Sequence, residues 1–131
     1  MSTFRIAEAA RLLGVSDDTI RRWIEHGLLP VTGARPTEIP GRALADRARE
    51  LAAAPDPVGA PSSARNRFVG LVTRVQVDGL MAQVDLQSGP HRVVSLMSAE
   101  AARDLGIDVG SLAVAVVKAT TVIIETPKGT Q

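Results

Sequence analysis

The chain has no cysteine and no tyrosine, one tryptophan, two phenylalanines and two histidines in 131 residues. The missing cysteines exclude disulfides, thiolate metal sites and cysteine nucleophiles. His26 and His91 fall in different halves and read as exposed polar residues, so no cation-binding metal site is expected. With so few aromatics, any core must be built from Ala, Val, Leu and Ile. Two small cores of that kind are marginal alone, which makes a homo-oligomer the expected state. Charge of one sign is also lacking: the net charge is +1, with eight basic against seven acidic residues over 1–54 and seven against seven over 55–131. A case for nucleic acid must therefore rest on where the arginines sit. No apolar run reaches the roughly 18 residues of a membrane span. The opening MSTFRIAEAA has no basic lead before an apolar core. A soluble, cytoplasmic protein with no membrane partner is expected. Glycine-rich phosphate loops, nucleophiles and acid/base pairs are absent from the sequence, so neither an enzyme nor an organic cofactor is expected.

What is present divides in two. Residues 55–62, PDPVGAPS, contain three prolines and a glycine and read as an extended linker. Apolar spacing is helical before it and mostly period two after it. The expected fold is two small domains: an all-α winged helix-turn-helix over 1–54, then a five-stranded OB-like β-barrel with one short helix over 63–127, and a tail at 128–131.

In IAEAARLLGVSDDTIRRWIE, residues 6–25, Ala9, Leu12 and Leu13 share a helical face, Gly14 breaks the helix, and Ser16 caps the next one. Asp17 and Asp18 suit the positively polarised first turn. Ile20, Trp23 and Ile24 form the second helix's apolar stripe, while Ala9 and Ala10 let the helices approach. This is a helix-turn-helix. It leaves Thr19, Arg21 and Arg22 off the core face, and an arginine fork grips two phosphate oxygens or the O6/N7 edge of guanine. A further helix follows, with Ile39, Leu44, Ala48 and Leu51 turned inward. Before it, Thr32, Gly33, Ala34 and Arg35 form a loop tip that would touch an adjacent phosphate as a wing.

The stretch IAEAARLLGVSDDTIRRWIEHGLLP resembles the MerR and excisionase-like winged-helix DNA-binding domains. The resemblance implies double-stranded DNA as partner, with the helix from Ser16 to His26 in the major groove and the Thr32–Arg35 loop as the wing. Full MerR proteins carry a long dimerisation coiled coil next, whereas Pro55 and Pro57 end the helix early here.

Beyond the linker, Val69, Leu71, Thr73, Val75 and Val77 alternate onto one face, followed by a turn at Asp78-Gly79 and by Leu80, Ala82, Val84 and Leu86. A third strand near His91–Met97, a helix near Ser98–Leu105 and an apolar run over Leu112–Ile124 complete the small barrel. Lys118 is the only charge in that run. A buried ammonium needs an anionic partner: an acidic side chain from another strand, water at the barrel mouth, or a bound anion. Ser63, Arg65, Lys118 and the helix start at Ser98 offer only donors, which suits a tetrahedral oxyanion and not a cation. Each also has a plainer role. Ser98 serves as an N-cap, Arg65 pairs with Asp85 or Asp104, and Lys118 snorkels to solvent.

Residues 63–126, with SARNRFVG, SAEAARDLGIDVGS and VVKATTVII in order, resemble the Mop or TOBE domain of molbindins and ModE-type regulators. The resemblance implies molybdate or tungstate as ligand, held between subunits by the positions of Ser63, Arg65, Lys118 and the backbone near Ala119, with Ser98 as the helix-start hydroxyl. Ala101 stands where many relatives have a second hydroxyl. A single copy of the domain implies that a complete site needs at least two chains. The combined expectation is an oxyanion-responsive transcriptional regulator. A molybdate-storage protein with a non-regulatory head and an excisionase-like architectural DNA-binding protein are its rivals.

Overall fold

A computed structural model of the chain describes residues 2–52 and 61–127, which fall into two separate units. The expected linker lies outside the described residues except for Pro61 and Ser62, as does the tail at 128–131.

The first unit runs β1 (Thr3–Arg5), α1 (Ile6–Leu13), α2 (Asp17–Glu25), β2 (Glu38–Pro40) and α3 (Gly41–Leu51). Gly14 adopts φ 69°, the left-handed conformation glycine reaches without Cβ strain, and Val15 N–H donates back to Ala10 O at 3.0 Å. Ser16 Oγ then accepts from Thr19 N–H at 3.1 Å and starts α2. Ala9, Ala10, Ile20, Leu29, Ile39 and Leu44 form the core, with Leu13, Trp23 and Ile24 packed against it. The Arg47 guanidinium lies 4.4 Å from the Trp23 ring centroid and bonds Glu50 at 2.9 Å, tying α3 to α2.

Two expectations need correction here. The unit is not all-α, because β1 pairs antiparallel with β2 in the register Thr3↔Pro40, Phe4↔Ile39, Arg5↔Glu38. Strands of three residues are too short to leave a periodic trace, and main-chain bonds across a long loop create them. Leu12 and Leu51 are exposed, and Ala10 takes the core position expected of Leu12. Both leucines lie within a residue of a helix end, where the packed face runs out.

The second unit contains β3 (Asn66–Asp78), β4 (Met81–Ser88), β5 (His91–Ser98), α4 (Ala99–Asp104), β6 (Leu112–Val117) and a 3₁₀ turn at Ala119–Thr121. The sheet order is β5-β4-β3-β6, antiparallel throughout. β3 serves two partners: residues 66–71 pair with β6 and residues 71–78 with β4. It turns the corner at a register shift between Val72 and Arg74 and at Gly70, where an added Cβ would lie 2.3 Å from the Gln87 carbonyl oxygen. The sheet thus curls into a half-barrel around Val72, Val84 and Leu86.

The corner overturns the expected face of β3 ahead of the register shift, where Val69 and Leu71 are exposed and Val72 is buried. Beyond the shift Val75 packs against the core as read, while Val77 is exposed near the strand end. On the unbroken β4, Ala82, Val84 and Leu86 are buried as read, although Leu80 is exposed in the turn. The sheet has four strands among the described residues, not five. The apolar run stops pairing at Val117, and beyond the 3₁₀ turn Ile123 and Ile124 are 85% and 83% exposed. Among the described residues no strand edge receives them.

Candidate functional site

Helix α2 carries the arginine candidates of the first unit, Arg21 and Arg22. The Ser16 hydroxyl is occupied as the cap and lies 2.9 Å from Thr19 Oγ1, which in turn accepts from Arg22 Nη2 at 3.3 Å. Arg21 Nη1 bonds Asp18 Oδ1 at 3.2 Å, with both side chains more than half exposed. An exposed pair of this kind is worth about 0–1 kcal/mol, so phosphate competes with it readily. Ser16, Thr19, Arg21 and Arg22 therefore form one run of polar side chains on one short helix. Arg35 is exposed in the loop between α2 and β2, where Thr32 N–H donates to Glu38 O at 3.0 Å and Thr32 Oγ1 accepts from Ala34 N–H at 3.2 Å.

Reasoning from sequence missed Arg5. It precedes α1, stands 3.9 Å from Glu38, and lines a shallow cleft together with Arg21, Asp17, Pro36 and Thr37. The β1–β2 pairing puts it there. Nothing in the spacing of Arg5 and Arg21 along the chain announces their meeting.

In the second unit, β3 and β6 assemble the oxyanion candidates. Asn66 pairs with Val117, and Asn66 Nδ2 donates to Val117 O at 3.1 Å. Arg65 and Lys118, the next residue outward on each strand, consequently meet at one end of the sheet. Ser63 and Ala119 flank them. Lys118 is exposed at the head of the 3₁₀ turn, so of the alternatives left open for its charge the single chain shows contact with solvent. The turn's own bonds run from Thr121 N–H and Val122 N–H, leaving the Ala119 and Thr120 amides at its free end. Asn66 is a second residue that the sequence reading passed over. It latches the strand ends, and its only trace was its place between the arginines of SARNR.

Ser98 is elsewhere. It pairs with Met81, which pairs with Asp78 at the far end of the 13-residue β3, about 40 Å of strand path from Asn66. Its hydroxyl accepts from Ala101 N–H at 3.0 Å, the N-cap role.

The alternative partner Asp85 is engaged. It is 4% exposed, and its carboxylate accepts from Gln83 Nε2 at 3.0 Å and from Arg92 Nε and Nη2 at 2.9 and 2.8 Å. The Gln83 hydrogen bond, then those from Arg92, hold its pKa below the ordinary carboxylate value, with added pull from the Arg92 and Arg74 charges outweighing the cost of burial. Arg65 Nη1 instead donates to Ser62 O at 3.3 Å. The donor cluster thus keeps its cations available. No helix among the described residues is long and apolar enough to cross a membrane, and no group of three or more His, Cys, Asp or Glu there is arranged to hold a metal ion.

Comparison with known proteins agrees with this division. Residues 5–36 match the model of the MerR family regulatory proteins, and residues 62–124 match the TOBE domain. Neither is an enzyme family. Among solved structures, the chain resembles a molybdate-binding protein from Sporomusa ovata at 22% identity and a TM-score of 0.50, over 51% of this chain and all of that one. It also resembles MopII from Clostridium pasteurianum at 33% identity and a TM-score of 0.48, over 50% of this chain and all of that one. The cytoplasmic molybdate-binding protein ModG, with molybdate bound, matches at 34% identity and a TM-score of 0.51, over 55% of this chain and 52% of that one. No curated protein sequence matches.

Proposed function

We propose, for a chain whose residues 5–36 belong to the MerR family of regulatory proteins and whose residues 62–124 are a TOBE domain, that it is a molybdate- or tungstate-responsive DNA-binding transcriptional regulator. The observation that carries the reading is the join of an arginine-bearing recognition helix to a module whose β3–β6 register brings Arg65 and Lys118 together. The molybdate-bound ModG supplies the ligand class, and its cytoplasmic location is the one proposed here.

Ser63, Arg65, Lys118 and the amides at Ala119 are the proposed oxyanion donors. Charge-assisted bonds to a doubly charged tetrahedral ion need just this donor-only set. Ser98, at the other end of β3, contributes through a second copy of the chain. The exposed Ile123 and Ile124, with Val69, Leu71 and Leu112 on the outer face of β3 and β6, favour such self-association. Paired heads would set two α2 helices, with Ser16, Thr19, Arg21 and Arg22, at DNA half-sites about one helical turn apart, each with Arg35 on a neighbouring phosphate. An ion shared between copies stabilises one assembly, and its coupling to DNA affinity is reciprocal.

Calorimetry with molybdate, tungstate and sulfate, alongside Lys118→Ala, tests the ion site. Tight binding of the first two and its loss in the variant are expected. Fluorescence anisotropy with operator-length DNA, with and without saturating ion, tests the regulation. DNA affinity indifferent to the ion would reduce the protein to a DNA-binding oligomer, and ion binding without any DNA binding would leave a storage protein.

A further inference from the structure

The pleat of β3 and β6 places a third cation at the same end of the sheet. Phe68 and Gly70 pair with Ala115 and Ala113, which pack against the core, so the intervening residues of both strands face the other way. Arg67 pairs with Val116 on that outer face. Lys118 keeps extended dihedrals, φ −68° and ψ 136°, so the alternation carries it to the same side as Val116. Arg67 and Lys118 are diagonal neighbours, about 7–8 Å apart at the backbone and within reach of each other's side chains.

Among the described residues the Arg67 guanidinium makes neither an ion pair nor a hydrogen bond, and its Nε is screened from solvent with no acceptor. Buried polar groups in native proteins are satisfied in the great majority of cases, and a partly desolvated cation without a partner is costly. The two strand segments beside it supply no carboxylate, since residues 62–71 and 112–118 contain no Asp or Glu. By contrast Arg92, on the same sheet, is fully engaged with Asp85.

Resting on the oxyanion reading above, we infer that Arg67 is a further contact of the oxyanion site, completing a three-cation cluster with Arg65 and Lys118 that selects doubly over singly charged tetrahedral anions. Two cations balance a dianion. Coulomb attraction scales with the anion's charge, so a third cation favours a dianion about twice as strongly as a monoanion at the same distance, and its planar fork supplies paired N–H donors to one edge of the ion.

The test is calorimetry of the full chain with molybdate and with perchlorate, a tetrahedral monoanion, for wild type, Arg67→Met, Arg67→Lys and Lys118→Ala. Arg67→Met retains an apolar stem and is expected to weaken molybdate about 10- to 100-fold, the loss of a hydrogen-bonded charge, with a smaller change for perchlorate. Arg67→Lys, keeping charge without the fork, recovers part of the loss. Molybdate affinity within about twofold of wild type in both Arg67 variants, while Lys118→Ala abolishes it, overturns the Arg67 contact and leaves the site itself standing. An equal loss for both anions assigns Arg67 to packing. Should Arg67→Met fail to fold by circular dichroism, Arg67→Lys decides by the same limit. No oxyanion binding by wild type overturns both readings.

Discussion

Replacing Gly70 with alanine tests the corner that brings the oxyanion donors together. The new Cβ would meet the Gln87 carbonyl oxygen at 2.3 Å, its carbon at 2.9 Å and Leu86 Cγ at 3.1 Å. Ordinary contacts begin near 3.4 Å, so about 1 Å of backbone movement is required in a ladder that cannot yield by rotating a side chain. Overpacking of this kind costs about 1–3 kcal/mol, and the lower entropy of the unfolded chain returns only about 0.4–1 kcal/mol. Taking the upper part of the range, a net loss of about 2 kcal/mol lowers the melting temperature of a unit this size by roughly 8–16 °C. The assay separates the units without cutting the chain. Trp23, the single tryptophan, lies in the first unit, so its fluorescence reports that unit alone, while far-UV circular dichroism also follows the strands of the second. The β transition should fall and the Trp23 transition stay. Melting of Gly70→Ala within about 2 °C of wild type would refute the claim that the corner depends on that close approach.

Other expectations follow from the same geometry. Ser16→Ala removes the cap of α2 and should cost about 1 kcal/mol, lowering the Trp23 transition and leaving the β transition unmoved. Because Asp85 is held below its ordinary value in the folded state, the unfolded chain takes up that proton first as pH falls. The stability it contributes is present above the unfolded carboxylate pKa and is lost as pH falls below that value and through the lower folded-state one. Dichroism melts across that range should show the loss, and Asp85→Asn should flatten it; an unchanged acid profile in the variant would assign the effect to other groups. Arg21→Ala should weaken DNA binding and lower the slope of log affinity against log salt by about one if it holds a phosphate, or relax sequence discrimination if it reads a base. Unchanged affinity, slope and discrimination would remove Arg21 from the interface.

Local patterns carried the first unit. Gly14 as a stop, Ser16 as a cap and the Ile20, Trp23, Ile24 stripe each depend on a few adjacent residues, and each stands in the fold. The β1–β2 ribbon did not show, because its three-residue strands owe their existence to pairing across more than thirty residues. On β4, uninterrupted alternation located the buried residues. On β3 the same rule failed at a register shift that no residue type in Val72-Thr73-Arg74 advertises.

The amino-acid sequence by itself determined the two-part organisation, the helix-turn-helix, the hairpin turn at Asp78-Gly79 and the donor-only chemistry of Ser63, Arg65 and Lys118, because caps, turns and residue chemistry act over short range. Tertiary structure alone decided which donors meet. Arg65 and Lys118 lie more than fifty residues apart and are joined by the Asn66↔Val117 pair, while Ser98 is carried to the far end of β3. It also decided that Asp85 belongs to Arg92, and that Arg67 remains without an acceptor among the described residues. Strand register is a collective result of packing and main-chain bonding, and a shift of one residue would turn every one of these side chains to the opposite face.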